Sequence, residues 1–123
     1  MPPQLQAAGA KLRSALAARP LEPPSRKELA PDSVSQQALR FLLQTGEAIE
    51  LGEEVVLLTE PFLKAKERIS SFLRQKGAAT VSELRQVIST SRRIMVPLLE
   101  RLDREGVTLR QGDQRVLKIK AKG

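Results

Sequence analysis

Apolar residues return at the spacing of a helical face twice in this chain. Leu5, Ala8, Leu12, Ala15 and Leu16 do so within residues 4–18, and Phe62, Ala65, Ile69, Phe72 and Leu73 repeat the spacing within residues 60–76 at an offset of 57. Side chains so spaced lie along one side of an α-helix, so each run predicts an amphipathic helix. A capping box follows each run: Ser25 with Glu28 before Leu29, and Thr80 with Glu83 before Leu84, 55 residues apart. In that motif a hydroxyl and a carboxylate three residues on satisfy each other's backbone donors, so a short second helix is expected to start at each box.

The period then changes from helical to alternating. Gly46 and Gly106 stand 60 apart; each is followed by five residues, a second glycine with an acid (Gly52-Glu53, Gly112-Asp113) and an apolar pair (Val56-Leu57, Val116-Leu117). The first glycine is expected to end a third helix, over about 33–45 and 91–104, and the second to turn an antiparallel hairpin. Each unit thus reads helix, short helix, helix, hairpin, which is the order of a winged helix. The expected class is mainly α with small β-hairpins (α+β), as two tandem winged-helix domains over 1–59 and 60–123. Glu60-Pro61 allows the second unit to begin at once, with proline in a first turn that needs no donor from it, so the connection is expected to be short and stiff.

Charge separates the two units. Of 123 residues, 21 are Lys or Arg and 14 are Asp or Glu, a net +7. Residues 1–59 hold six basic and seven acidic residues, for −1, whereas residues 60–123 hold 15 and 7, for +8. The second unit is therefore the one expected to meet a polyanion, and removing Lys118, Lys120 and Lys122 still leaves it at +5.

What is missing narrows the chemistry. With no His and no Cys, the chain has no thiol nucleophile, no imidazole base and no His or Cys metal site. No Trp, no Tyr and three Phe leave little for an aromatic stacking platform. No glycine belongs to a phosphate-binding nucleotide loop, and Glu53-Glu54 sits at a turn without an acid partner. No catalytic residue, metal or cofactor is expected. No apolar run is long enough to span a bilayer and the N-terminus lacks the regions of a signal peptide, so a cytoplasmic protein without a membrane partner is expected.

The binding candidate starts at Ser91, read as the N-cap of the third helix in the second unit, with Arg92 and Arg93 in its first turn. Two arginines oppose the helix dipole there, which makes sense if an anion is addressed by both forks and by the backbone amides. In the hairpin, Val107 and Leu109 alternate with Thr108 and Arg110, and Leu117 and Ile119 with Val116, Lys118 and Lys120. One face is expected to be apolar and the other basic, with Arg110 and Arg115 flanking the Gln111–Gln114 turn and straddling a sugar-phosphate backbone. The first unit's hairpin carries Glu50, Glu53 and Glu54 and would repel the same ligand.

Ser91-Arg92-Arg93, Pro97-Leu98-Leu99-Glu100, Leu102-Asp103 and Gly112-Asp113 with Arg115-Val116 resemble, in order and spacing, the last winged helix of the bacterial selenocysteine-specific elongation factors, the SelB family. The likeness covers residues 60–120; residues 1–59 match the preceding winged helix by order and length. It implies an RNA-binding module that anchors a tRNA-delivering GTPase to the selenocysteine insertion hairpin of an mRNA beside a UGA codon. By position, Ser91, Arg92, Arg93, Arg110, Gly112 and Arg115 would then hold that hairpin, and the first domain would be a spacer or ribosome-facing joint. Ile94, Leu109 and Gln114 depart from the family's frequent aromatic, Arg and Lys. The GTPase itself is absent, so the chain is expected to be a fragment or a separately made tail. The alternative from the residues alone is a DNA-binding winged-helix transcriptional regulator, but no dimerisation helix is offered and a monomer is expected.

Overall fold

A computed structural model describes residues 2–118. The hairpin and tail positions Ile119, Lys120 and Lys122 lie outside the described residues. The described part is mainly helical with small antiparallel sheets, and the chain divides into two compact units, Met1–Phe62 and Leu63–Gly123. That division falls three residues beyond the expected one, inside a helix that begins directly after the first hairpin.

In the first unit, α1 (Pro3–Ala18) starts with proline at its first position and buries Gly9, Leu12 and Leu16. Leu5, Ala8 and Ala15 pack partly against the same core, so the whole expected face points inward. The Ser25–Glu28 box is formed in both directions and starts α2 (Arg26–Leu29). Helix α3 (Ser33–Gln44) is opened by Asp32, whose carboxylate accepts from the Ser35 amide at 2.8 Å, a second box that the hydrophobic pattern did not mark. At Gly46, φ is +82 and the Glu47 amide reaches back to the Leu42 carbonyl at 3.0 Å, closing the helix with a left-handed cap. Strands β1 (Ala48–Leu51) and β2 (Val55–Leu58) pair antiparallel from Ala48↔Leu58 to Leu51↔Val55, with Gly52, Glu53 and Glu54 at the turn.

In the second unit, α4 (Thr59–Lys76) supplies the buried Ala65, Ile69 and Leu73, while Phe72 is half-buried. Then come β3 (Ala79–Thr80), α5 (Val81–Val87), α6 (Arg92–Glu105), β4 (Thr108–Gln111) and β5 (Gln114–Leu117). The strands form an antiparallel sheet in the order β3-β5-β4. Two-residue β3 has no periodicity of its own and was invisible in the sequence. Its counterpart in the first unit, set by the aligned capping boxes, is Pro24-Ser25, where proline has no amide to give a ladder. The first unit has a two-stranded sheet, and there the Arg26 N–H donates to the Glu54 carbonyl at 2.9 Å. No helix among the described residues is long and apolar enough to cross a membrane.

One expectation for the second hairpin is reversed. Thr108, expected on the basic outer face, is 1% exposed, whereas Leu109, expected inside, is 45% exposed. The cause is a carboxylate on α6 that satisfies a polar inner face.

Candidate nucleic-acid interface

The α5–α6 turn sets where the arginines stand. Helix α5 ends at Ile88, after which Ser89 adopts φ +56, the one positive φ outside glycine among the described residues. The Ser89 amide donates to the Gln86 carbonyl at 3.3 Å and the Thr90 amide to the Arg85 carbonyl at 2.9 Å, the paired closure of a Schellman motif. From α4, Arg68 donates to the Val87 carbonyl at 2.7 Å and holds the same helix end. The chain reverses within Ser89 and Thr90 and enters α6 at Ser91.

Ser91 occupies the N-cap with extended backbone angles, and its carbonyl accepts from the Met95 amide at 2.9 Å. Its side chain gives the helix start no capping hydrogen bond, which corrects the expected capping role, and no acidic residue lies in the first turn. Arg92 and Arg93 are exposed there, while Ile94, Met95, Leu98, Leu99 and Leu102 bury the opposite side. The amphipathic stripe therefore fixes the arginines outward. The helix is unbroken through Pro97.

At the hairpin tip, Gly112 has φ +64 as the first residue of a two-residue turn, an arrangement that glycine takes without strain. Arg110 is exposed and its Nε donates to the Gly112 carbonyl at 3.1 Å, so both expected tip residues are at the solvent-facing end of the wing.

Arg115 is not with them. Its side chain is 7% exposed and folds onto Asp103 of α6, with Nη2 to Oδ2 at 2.7 Å and Nε to Oδ1 at 3.3 Å. The Thr108 hydroxyl donates to the same Oδ1 at 2.6 Å. This corrects the expectation that Arg115 straddles a backbone from the tip: it is neutralised beneath the wing. Burial alone would raise the Asp103 pKa, but the Arg115 and Thr108 hydrogen bonds and the charges of Arg115 and Arg110 outweigh it and hold the carboxyl below its usual value. Nearby, Glu105 accepts from Arg101 at 2.7 Å and Lys66 at 3.0 Å. Burial raises the Glu105 pKa and these two partners more than reverse it.

The part Asp103 plays in holding Arg115 and Thr108 was missed because its only sequence signal was membership of a motif. A hydroxyl and a guanidinium on one hairpin face, opposite an acid in the last turn of the preceding helix, was the physical signal.

A three-helix unit with a three-stranded antiparallel sheet and a protruding hairpin has the architecture of a winged helix. The family model described as the winged helix of elongation factor SelB matches residues 71–117. The selenocysteine-specific elongation factor of Desulfomicrobium baculatum is 28% identical over 82 residues, which make up 67% of this chain and 13% of that protein. The chain thus spans a small part of that relative's length. Among solved structures, the mRNA-binding domain of elongation factor SelB from E. coli in complex with SECIS RNA shares the fold with a TM-score of 0.77 at 19% identity, covering 97% of this chain and all of that one. A bacterial selenocysteine-specific elongation factor, EF-Sec, gives a TM-score of 0.71 at 19% identity over 96% of this chain and 19% of its own. The chain is similar to the C-terminal winged-helix part of these factors.

Proposed function

We propose that the chain is the RNA-binding module of a selenocysteine-specific elongation factor, in the cytoplasm, anchoring it to the selenocysteine insertion hairpin of an mRNA for UGA recoding. The first unit is a further winged helix acting as a spacer or ribosome-facing joint, the whole works as a monomer, and catalysis belongs to a GTPase segment elsewhere. The observation that carries the reading is the start of α6. Arg92 and Arg93 stand exposed there with no acid in the first turn, and this lies inside the segment that matches the SelB winged helix.

Arg92 and Arg93 address phosphates at the helix start, beside Ser91, and Arg110 with the Gly112 backbone approaches the neighbouring strand from the wing. Arg115 supports this surface from below. Because A-form grooves hide base edges, recognition rests on backbone contacts and on bases splayed from the loop. The test is fluorescence anisotropy of the full chain with a labelled stem-loop taken from immediately downstream of a selenocysteine UGA codon, with a loop-substituted stem-loop and a DNA duplex of equal length as competitors. Preference for the native loop is expected. Equal competition by the DNA duplex would favour a DNA regulator and overturn the reading.

A further inference from the structure

We infer that Asp103 is a positioning residue for RNA binding, which fixes the wing against the recognition helix and decides which of two facing arginines is presented to the ligand; this rests on the RNA-binding reading above. The argument starts from strand register. Arg110 and Arg115 are direct cross-strand partners in the β4–β5 ladder. Direct partners share one face of the ladder, so these like charges repel at a Cβ separation of about 5 Å. Asp103 resolves this by taking Arg115 through two hydrogen bonds and burying it, while Arg110 remains exposed with its Nε on the Gly112 carbonyl.

The same carboxylate accepts from Thr108 on β4, so one side chain in the last turns of α6 ties down both strands of the wing. Helix α6 carries Arg92 and Arg93 at its other end. A rigid helix and a wing pinned to it hold the two anion-binding ends at a set separation, and the ligand need not spend binding energy ordering them. The wing is also held by the two-residue β3 pairing, Ala79↔Arg115 and Thr80↔Gln114, by the Gly106 cap and by the Val107 amide on the Leu102 carbonyl at 2.9 Å.

The experiment separates a pin from a direct contact. In Asp103→Asn the pair is broken, and hairpin affinity is expected to fall roughly tenfold with the slope of log K against log salt unchanged, because no phosphate contact is lost. Arg110→Ala should reduce that slope by about 0.7–0.9. Arg115→Met leaves the half-buried Asp103 carboxylate without its cation and should bind poorly. The triple variant Asp103→Leu, Thr108→Val, Arg115→Met replaces the polar cluster with apolar packing, which is often neutral or stabilising at such sites. It is expected to recover affinity to within about threefold of wild type. Hydrogen exchange of residues 108–117 in the free protein should speed up in Asp103→Asn and return in the triple variant.

A triple variant that binds as weakly as Arg115→Met, with a slope lower by about one charge, would make Arg115 an RNA contact and overturn the inference. Wild-type affinity in Asp103→Asn would do the same. Lack of hairpin binding by the wild type itself would instead bring down the RNA reading, and is visible before any variant is made.

Discussion

Replacing Arg92 and Arg93 with alanine separates binding from folding more cleanly than any other change in the chain. Both side chains are exposed and lie opposite the buried stripe of α6, so their removal opens no cavity. Both also oppose the helix dipole, so their loss should leave folding stability unchanged or raise it by a few tenths of a kcal/mol. Binding should move the other way. A charge-assisted contact to phosphate or to a base edge is worth about 1–3 kcal/mol. Two contacts, discounted for solvent screening at an exposed site, give about 2–4 kcal/mol, or roughly 30- to 1,000-fold in Kd. Each lost phosphate contact to single-stranded or duplex nucleic acid removes about 0.7–0.9 from the salt slope, so the double variant should be flatter by about 1.4–1.8. Anisotropy titrations of the hairpin from 50 to 300 mM salt read both quantities, with calorimetric melting as the folding control. Affinity within twofold of wild type together with an unchanged slope would remove the helix start from the site.

Two further outcomes follow from local geometry. Ser89 carries φ +56 where glycine is preferred; a left-handed serine costs about 1–2 kcal/mol and glycine returns about half of that as unfolded-chain entropy, so Ser89→Gly should stabilise by about 0.5–1 kcal/mol, checked by calorimetry. For pH, Asp103 and Glu105 have folded pKa values below their ordinary 3.8 and 4.5, so the unfolded chain binds more protons and their contribution, full above those values, is lost as pH falls through the lower folded ones. With no His, Cys or Tyr in the sequence, stability and hairpin affinity should be flat from about pH 6 to 8.5; a bell-shaped profile in denaturant melts or titrations would contradict this.

The elements legible in the sequence are those set by local chemistry. The two amphipathic helices, the Ser25 and Thr80 boxes and the left-handed caps at Gly46 and Gly106 all depend on residues within a turn or two of each other, and each is formed as read. The features that escaped depend on distant partners. β3 exists because β5 offers it an edge, not because Ala79-Thr80 has strand character. Hydrophobicity placed Leu109 inside and Thr108 outside, and the Asp103 carboxylate reversed them by giving a buried hydroxyl and a buried guanidinium their hydrogen bonds. For the candidate site, the outward pair at the start of α6 was legible because helical periodicity fixes its face. The inward turn of Arg115 was not, because cross-strand register says which residues face each other but not which of the two a third residue captures.

The two units supply a comparison within one chain, since the third helix of each begins differently. In α3 the N-terminal anion position is filled from within: Asp32 accepts from the Ser35 amide, and that bond together with the Ser35 hydroxyl keeps its carboxyl below the usual range. In the same unit Glu50 on the hairpin is paired with Arg26, and Glu53 and Glu54 mark its turn. In α6 no acid lies in the first turn and the serine hydroxyl makes no cap, while two guanidinium groups are added. Near the other end of α6, Asp103 is paired with Arg115 beneath the wing, and Asp113 is the acid exposed in the hairpin turn. Net charges of −1 and +8 are the sum of these local choices. A helix start capped by its own acid is a poor place for a polyanion, and a cationic one is a favourable place. The two units thus differ in how each third helix is capped, with the order of helices and hairpin common to both.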